Sequence, residues 1–184
     1  MADDTLTWQI NERGEARDYK IFSAYQHTAT HAPSGRTGRF TVIDSPNWVN
    51  VIALTDEDEV IMVRQFRHGT EAVTLELPGG LVDPDEGFVE AGLRELVEET
   101  GFVPESAELL GITEPNPAFM NNRCGLVIAR GARPAGAQTL DPNEVIDVVT
   151  YPLTEVPALI RSGAITHTLV ITAFYFMEHA AESA

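Results

Sequence analysis

The 184-residue chain has one cysteine, Cys124, and no run of eighteen apolar residues. A lone cysteine excludes an internal disulfide and fits a reducing compartment such as the cytoplasm. It precedes the strand-like run "GLVIA", where a small buried side chain is the simpler role than a nucleophile. Without a long apolar run, no membrane-spanning helix is expected. The opening "MADDTLTWQI" lacks the basic-then-apolar pattern of a signal peptide. Basic residues are scarce too, with 12 Lys and Arg against 28 Asp and Glu, a formal net charge of −16. That balance excludes nonspecific binding to DNA, RNA or anionic lipid, which needs a basic surface. A small phosphorylated ligand stays open, provided divalent cations neutralise the contact. Internal repeats, low-complexity tracts and linkers are absent as well.

An apolar content of 43% and a charged content of 22% are those of a soluble globular protein. The length suits one folded body with a real core. "YKIFSAYQHTATHA" and "GRFTVIDS" read as strands separated by the turn-like "PSGRTG". "WVNVIALT" and "EVIMVRQFRH", divided by "DEDE", read as a central hairpin, and "AVTLELPGG" as a strand ending in a Pro-Gly-Gly turn. A helix is expected from about Glu86 to Thr100, with Gly101 as its stop. "SAELLGIT", "GLVIARG" and "EVIDVVTYPL" follow as strands, with the polar loop "EPNPAFMNN" between the first two. "LTEVPALIRSG" and "HTLVITAFYFMEHAAES" read as a short and a long closing helix. The fold class is therefore mixed α/β, a mixed β-sheet core sandwiched by helices, with an antiparallel β extension at the N-terminus.

One helix collects negative charge that repels itself. In "GGLVDPDEGFVEAGLRELVEETGF" (79–102), Glu95, Glu98 and Glu99 crowd together with no lysine among them, although like charges at such spacings destabilise a helix. At about 100° per residue, Val89, Leu93, Leu96 and Val97 fall in one arc that reads as the core face. The three glutamates fall in a second, separate arc. A solvated acidic face would explain this run alone. So would a site for a hard divalent cation, which takes carboxylate and carbonyl oxygens.

Gly80, Glu86, Arg94, Glu95, Leu96, Glu98, Glu99, Gly101 and Phe102 fit the pattern G-x5-E-x7-R-E-U-x-E-E-x-G-U, where U is bulky and apolar. This resembles the Nudix box, and the chain is identified as resembling the Nudix hydrolases over most of its length. The resemblance implies a Nudix hydrolase domain over 47–184, preceded by a β extension over 1–46 that forms a homodimer. It implies Glu95 and Glu99 as principal metal ligands, Glu98 as an accompanying ligand of the catalytic group, and the Gly79 backbone carbonyl as a further ligand. Arg94 corresponds to the arginine that orients these glutamates, and Glu86 to a structural partner. The implied reaction is attack of water on a phosphorus of a nucleoside diphosphate linked to another group. The implied cofactor is Mg2+, with Mn2+ as the alternative.

Within the family, "RQFRHG…LELPGG" is similar to the branch that cleaves ADP-ribose and other nucleoside diphosphate sugars, and Pro117 stands where that branch often carries a proline. By this resemblance Arg67 contacts the substrate phosphates, a use suited to a guanidinium fork. Glu76 contacts ribose or anchors a loop. Glu144, in "DPNEVIDVV", is metal ligand or general base; the second acidic residue that relatives carry two positions earlier is replaced by Pro142, which keeps a metal-bound hydroxide open as the base. Phe40, Trp8 and Trp48 are the aromatic candidates for stacking on the nucleobase, and packing is the plainer role for each. His68, beside Arg67, reads as structural. The expected partner is a nucleotide sugar, with no nucleic acid and no membrane. Two other readings remain: a Nudix hydrolase acting on dinucleoside polyphosphates, NADH or oxidised nucleotides, and a non-catalytic nucleotide-sugar-binding regulator.

Overall fold

The structure is a computed structural model and describes residues 4–179. The chain divides into two compact units, the first running to Pro46 and taking in Glu114–Arg123, the second taking Asn47–Thr113 and the chain from Cys124 onward.

In the first unit, β1 (Trp8–Arg13), β2 (Arg17–Asp18), β3 (Ser23–His31) and β4 (Thr37–Asp44) form an antiparallel sheet in which β3 pairs with each of the others. Strand β1, all of it exposed, has no expectation in the sequence, because the apolar alternation of "WQINER" stops after Ile10. The segment Glu114–Arg123 closes on this sheet. Ile43 N–H donates to the Phe119 carbonyl at 2.7 Å, and the Asn121 side chain donates to Asp44 at 2.6 Å.

The second unit holds β5 (Trp48–Leu54), β6 (Glu59–Arg67), β7 (Ala72–Glu76), α1 (Phe88–Thr100), β8 (Phe102–Val103), β9 (Ser106–Thr113), β10 (Cys124–Arg130), β11 (Arg133–Pro134), β12 (Ile146–Pro152), α2 (Val156–Ser162) and α3 (Thr168–His179). Its main sheet runs β12-β6-β5-β10-β9, with β7 added alongside β6. Pairing is antiparallel except for β5 with β10. Strand residues alternate between faces. Val49, Val51 and Ala53 of β5 join Val127 and Ala129 of β10 in a core beneath α1. Ile52 and Leu54 join Leu126 and Ile128 in a second core with residues of α2 and α3. Buried on both faces, β5 and β10 read as continuous apolar runs. This is the mixed α/β sandwich expected from the sequence.

Helix α1 begins at Phe88 rather than Glu86, after Gly87, whose N–H donates to the Glu90 side chain at 3.0 Å. Gly101 ends it in the left-handed conformation, φ 73°. Its core face is a correction. Ala91, Gly92, Leu96, Glu99 and Thr100 are the buried positions, whereas Val97, assigned inward by the wheel, is 40% exposed. The small residues decide the roll. A Cβ on Gly92 would meet the Val51 side chain at 3.0 Å, so glycine lets the helix backbone settle against β5. That roll carries Glu99 inward, to 4% exposure.

Candidate active site

The turn after β7 lies along the start of β5. Val51 N–H donates to the Pro78 carbonyl at 2.9 Å and Val49 N–H to the Gly80 carbonyl at 3.0 Å. Between them, Gly79 N–H donates to Glu99 Oε2 at 2.9 Å. Both glycines are needed for close approach. A Cβ on Gly79 would overlap the Val49 carbonyl oxygen, and one on Gly80 would overlap the Glu95 carboxylate.

Arg94 organises the carboxylates. Its Nε and Nη2 donate to Glu86 at 3.1 and 3.0 Å, Nη1 to Glu95 at 2.8 Å and Glu98 at 3.2 Å, and Nη2 also to the Leu81 carbonyl at 2.9 Å. A planar fork with five N–H groups can serve this many acceptors, and a lysine cannot. The Glu86 hydrogen bond, followed by contact with Glu95, pushes the Arg94 pKa further above its ordinary value. Glu86 is tied back in turn by the Asp83 N–H at 3.2 Å.

Burial pushes Glu99 from an ordinary 4.5 up to about 8. The Glu95 and Glu144 charges add to the rise, while the Gly79 N–H and Arg67 oppose it. Glu95 is likewise raised, first by burial, with Glu98 and Glu144 contributing and Arg94 opposing. Glu144 is exposed on the loop before β12, and its carboxylate accepts the Asp141 N–H at 3.0 Å. It still acts on Glu95, Glu99 and Arg67 through space, so these four groups share one field. Among the described residues, no three His, Cys, Asp or Glu side chains already form a metal cage. Glu95 and Glu98 turn toward Arg94, and Glu99 toward Gly79. The donor set nonetheless fits a hard dication. It is all oxygen, and its most buried carboxylate is held up in pKa first by burial and then by the charges of Glu95 and Glu144, which such an ion would offset.

Arg67 points its fork at Glu76. Nε and Nη2 meet the two carboxylate oxygens at 2.8 and 2.7 Å. Glu76 is buried and also accepts from Thr74 Oγ1 at 2.5 Å. Burial works against its charge, but the Arg67 and Thr74 hydrogen bonds outweigh burial and hold the carboxyl below its ordinary range. His167 Nε2 stands 3.8 Å from the same carboxylate, while His167 Nδ1 accepts the Leu169 N–H at 3.2 Å and so caps α3. His167 escaped the sequence reading because nothing in its spacing links it to Glu76. Gln138 escaped it too. Its side-chain nitrogen donates to the Glu99 carbonyl at 2.6 Å and to the Ile146 carbonyl at 3.2 Å.

The remaining candidates are placed by their ring contacts and burial. Phe40 and Trp8 lie in the first unit and meet edge to face at 5.2 Å. Trp48 is half-buried against the core on the α2–α3 side. Cys124 is fully buried, and burial pushes its thiol up to about 12, far from a thiolate. His68 meets Phe66 edge to face at 5.2 Å.

The model of the NUDIX domain matches residues 46–172. A methanol dehydrogenase activator of Bacillus methanolicus is 31% identical over 147 residues, covering 79% of this chain and 80% of that protein. An ADP-ribose pyrophosphatase of Bacillus subtilis (strain 168) is 26% identical over 147 residues, with the same coverage of 79% and 80%. Among solved structures, an ADP compounds hydrolase matches with a TM-score of 0.83 at 22% identity, covering 94% of this chain and 92% of that one. At that identity the likeness is one of fold.

Proposed function

The chain belongs to the NUDIX family, and from that premise we propose that it hydrolyses the pyrophosphate bond of ADP-ribose or a similar nucleoside diphosphate sugar to a nucleoside monophosphate and a sugar phosphate. The observation that carries this reading is the cluster of oxygen donors held in place by hydrogen bonds, Glu95 and Glu98 on Arg94 and Glu99 on the Gly79 N–H. Arg67, which the charges of Glu99 and Glu144 reach, adds the cation that a pyrophosphate needs. The similarity to an ADP-ribose pyrophosphatase supports the choice of substrate.

Glu95, Glu98, Glu99 and the Gly79 carbonyl would hold Mg2+, with Mn2+ as the alternative. Bound there, the ion supplies charge neutralisation at phosphorus and a bound water of lowered pKa. Arg94 keeps the carboxylates at fixed places along α1. Glu144, on an exposed loop, takes the role of base or additional ligand. With Nε and Nη2 committed to Glu76, Arg67 has Nη1 to offer a phosphate oxygen. The same pairing gives Glu76 the work of holding Arg67 still.

The first unit, with its exposed Leu6, Trp8, Ile10, Ile21 and Phe40, is the part through which the chain forms a homodimer, and Phe40 is the residue that stacks on the base. The single buried cysteine agrees with a cytoplasmic setting. Among the described residues, no helix is long and apolar enough to cross a membrane.

The test is turnover of ADP-ribose, GDP-mannose, UDP-glucose, NADH and a dinucleoside polyphosphate, with Mg2+ and with EDTA, counting released monophosphate through added phosphatase. Metal-dependent cleavage of nucleotide sugars is the expected result. Cleavage only of NADH and the dinucleoside polyphosphate would overturn the substrate, and no cleavage at all would overturn the hydrolase.

A further inference from the structure

Between β11 and β12 the chain crosses the C-terminal end of α1, where helix carbonyls have no partner inside the helix. Three main-chain groups of this crossing bond to this end, one to a helix carbonyl and two to that of the capping Gly101. Ala135 and Gly136 N–H donate to the Gly101 carbonyl at 2.8 and 3.2 Å, and Thr139 N–H to the Glu98 carbonyl at 2.8 Å. These bonds anchor the first half of the loop. Over 140–145 the bonds are internal: Glu144 N–H donates to the Asp141 carbonyl at 2.9 Å, and the Asp141 N–H returns to the Glu144 carboxylate at 3.0 Å. Gln138 closes the base. The two hydrogens of its amide nitrogen go to the Glu99 carbonyl and to the Ile146 carbonyl. One acceptor belongs to a residue of the carboxylate helix, and the other lies two residues past Glu144.

We propose that Gln138 is a positioning residue of the hydrolytic site: it ties the loop bearing Glu144 to the helix bearing Glu95 and Glu99, and so sets where Glu144 can reach. This rests on the hydrolase reading above. A residue chosen only to satisfy helix carbonyls would have no need of the second bond to β12. Because the bridge is made by one planar amide, losing it frees both ends at once.

Gln138→Met keeps the side chain's length and removes both donors. In this variant kcat falls about tenfold, the effect of one or two lost hydrogen bonds, while KM stays within about twofold. In a Glu144→Gln background the same substitution lowers kcat no further, because its effect already runs through Glu144. Amide hydrogen exchange over 139–146, measured on the full chain in EDTA, quickens about tenfold. Unchanged exchange overturns the proposal, since the tether would then hold nothing. Faster exchange with unchanged kcat overturns the positioning role, and an equal loss of kcat in the Glu144→Gln background shows that Gln138 acts elsewhere. Absence of turnover in the wild type defeats the hydrolase reading, and the exchange measurement then decides by itself whether the tether exists.

Discussion

Gly80 packs directly beneath the carboxylate of Glu95, leaving no room for a Cβ, while Gly79 is pressed in the same way against the main-chain oxygen of Val49. The two neighbours therefore fail differently when changed. Gly80→Ala meets the end of a flexible side chain, so the fold yields by moving Glu95; activity drops by about 10²-fold, as for a misplaced catalytic group, with Tm little altered. Gly79→Ala meets backbone that cannot yield, and Tm falls sharply. Thermal melts and steady-state kinetics on the pair check this; equal losses of stability would contradict it.

Glu99→Gln removes ligand charge and no core volume. We expect kcat to fall by roughly three or more orders of magnitude, comparable to the loss of a main electrostatic element of a site, with the protein still folded by circular dichroism. Near-full activity would remove Glu99 from the ligand set.

Metal addition should stabilise the wild type. An ion at a hundred times its Kd contributes about 2.7 kcal/mol, visible as a higher Tm in Mg2+ than in EDTA. Glu99→Gln should abolish most of that difference, and an equal shift in both proteins would point to binding elsewhere.

Arg67→Ala should have two separable effects. It leaves Glu76 buried without its partner, which destabilises by about 3 kcal/mol, and it raises KM. Adding Glu76→Gln should restore much of the stability and none of the KM. If KM recovered as well, Arg67 would matter only as a partner for Glu76.

Acid should reach the Glu76 pairing only after it has reached the raised carboxyls of Glu95 and Glu99. Glu76 is held below its ordinary 4.5 when folded. Its contribution is thus complete above pH 4.5 and disappears as pH falls through the lower folded value. Urea midpoints between pH 7 and 3 should show this loss in the wild type and its absence in Glu76→Gln; parallel profiles would contradict the assignment.

The carboxylate cluster was legible because its residues lie on one helix, where spacing translates directly into direction. The strands of the second unit were legible for a similar reason, since apolar alternation and Gly-Pro breaks are local. The face of α1 was misread. A wheel weights large apolar residues, whereas Gly92 and Ala91 settled the roll by letting the backbone come close, which left Val97 outside. Glu76 with His167, and Gln138 with the Glu99 and Ile146 carbonyls, were illegible because these contacts join distant stretches through single side chains and leave no period behind. The closure of Glu114–Arg123 on the first sheet is of the same kind.

The parallel pairing of β5 with β10 also governs how the molecule comes into being. Cys124 lies opposite Trp48, so everything from the first hairpin through α1 must be made before the strand that completes the floor under α1 appears. Contacts so distant in sequence slow folding, because the loop must close before its contacts reward it. During synthesis, α1 therefore emerges with Glu95, Glu98 and Glu99 in water, and burial of Glu99 waits for the second strand of the pair. Refolding followed by a probe on α1 and by recovery of activity should show the helix first and the working site last.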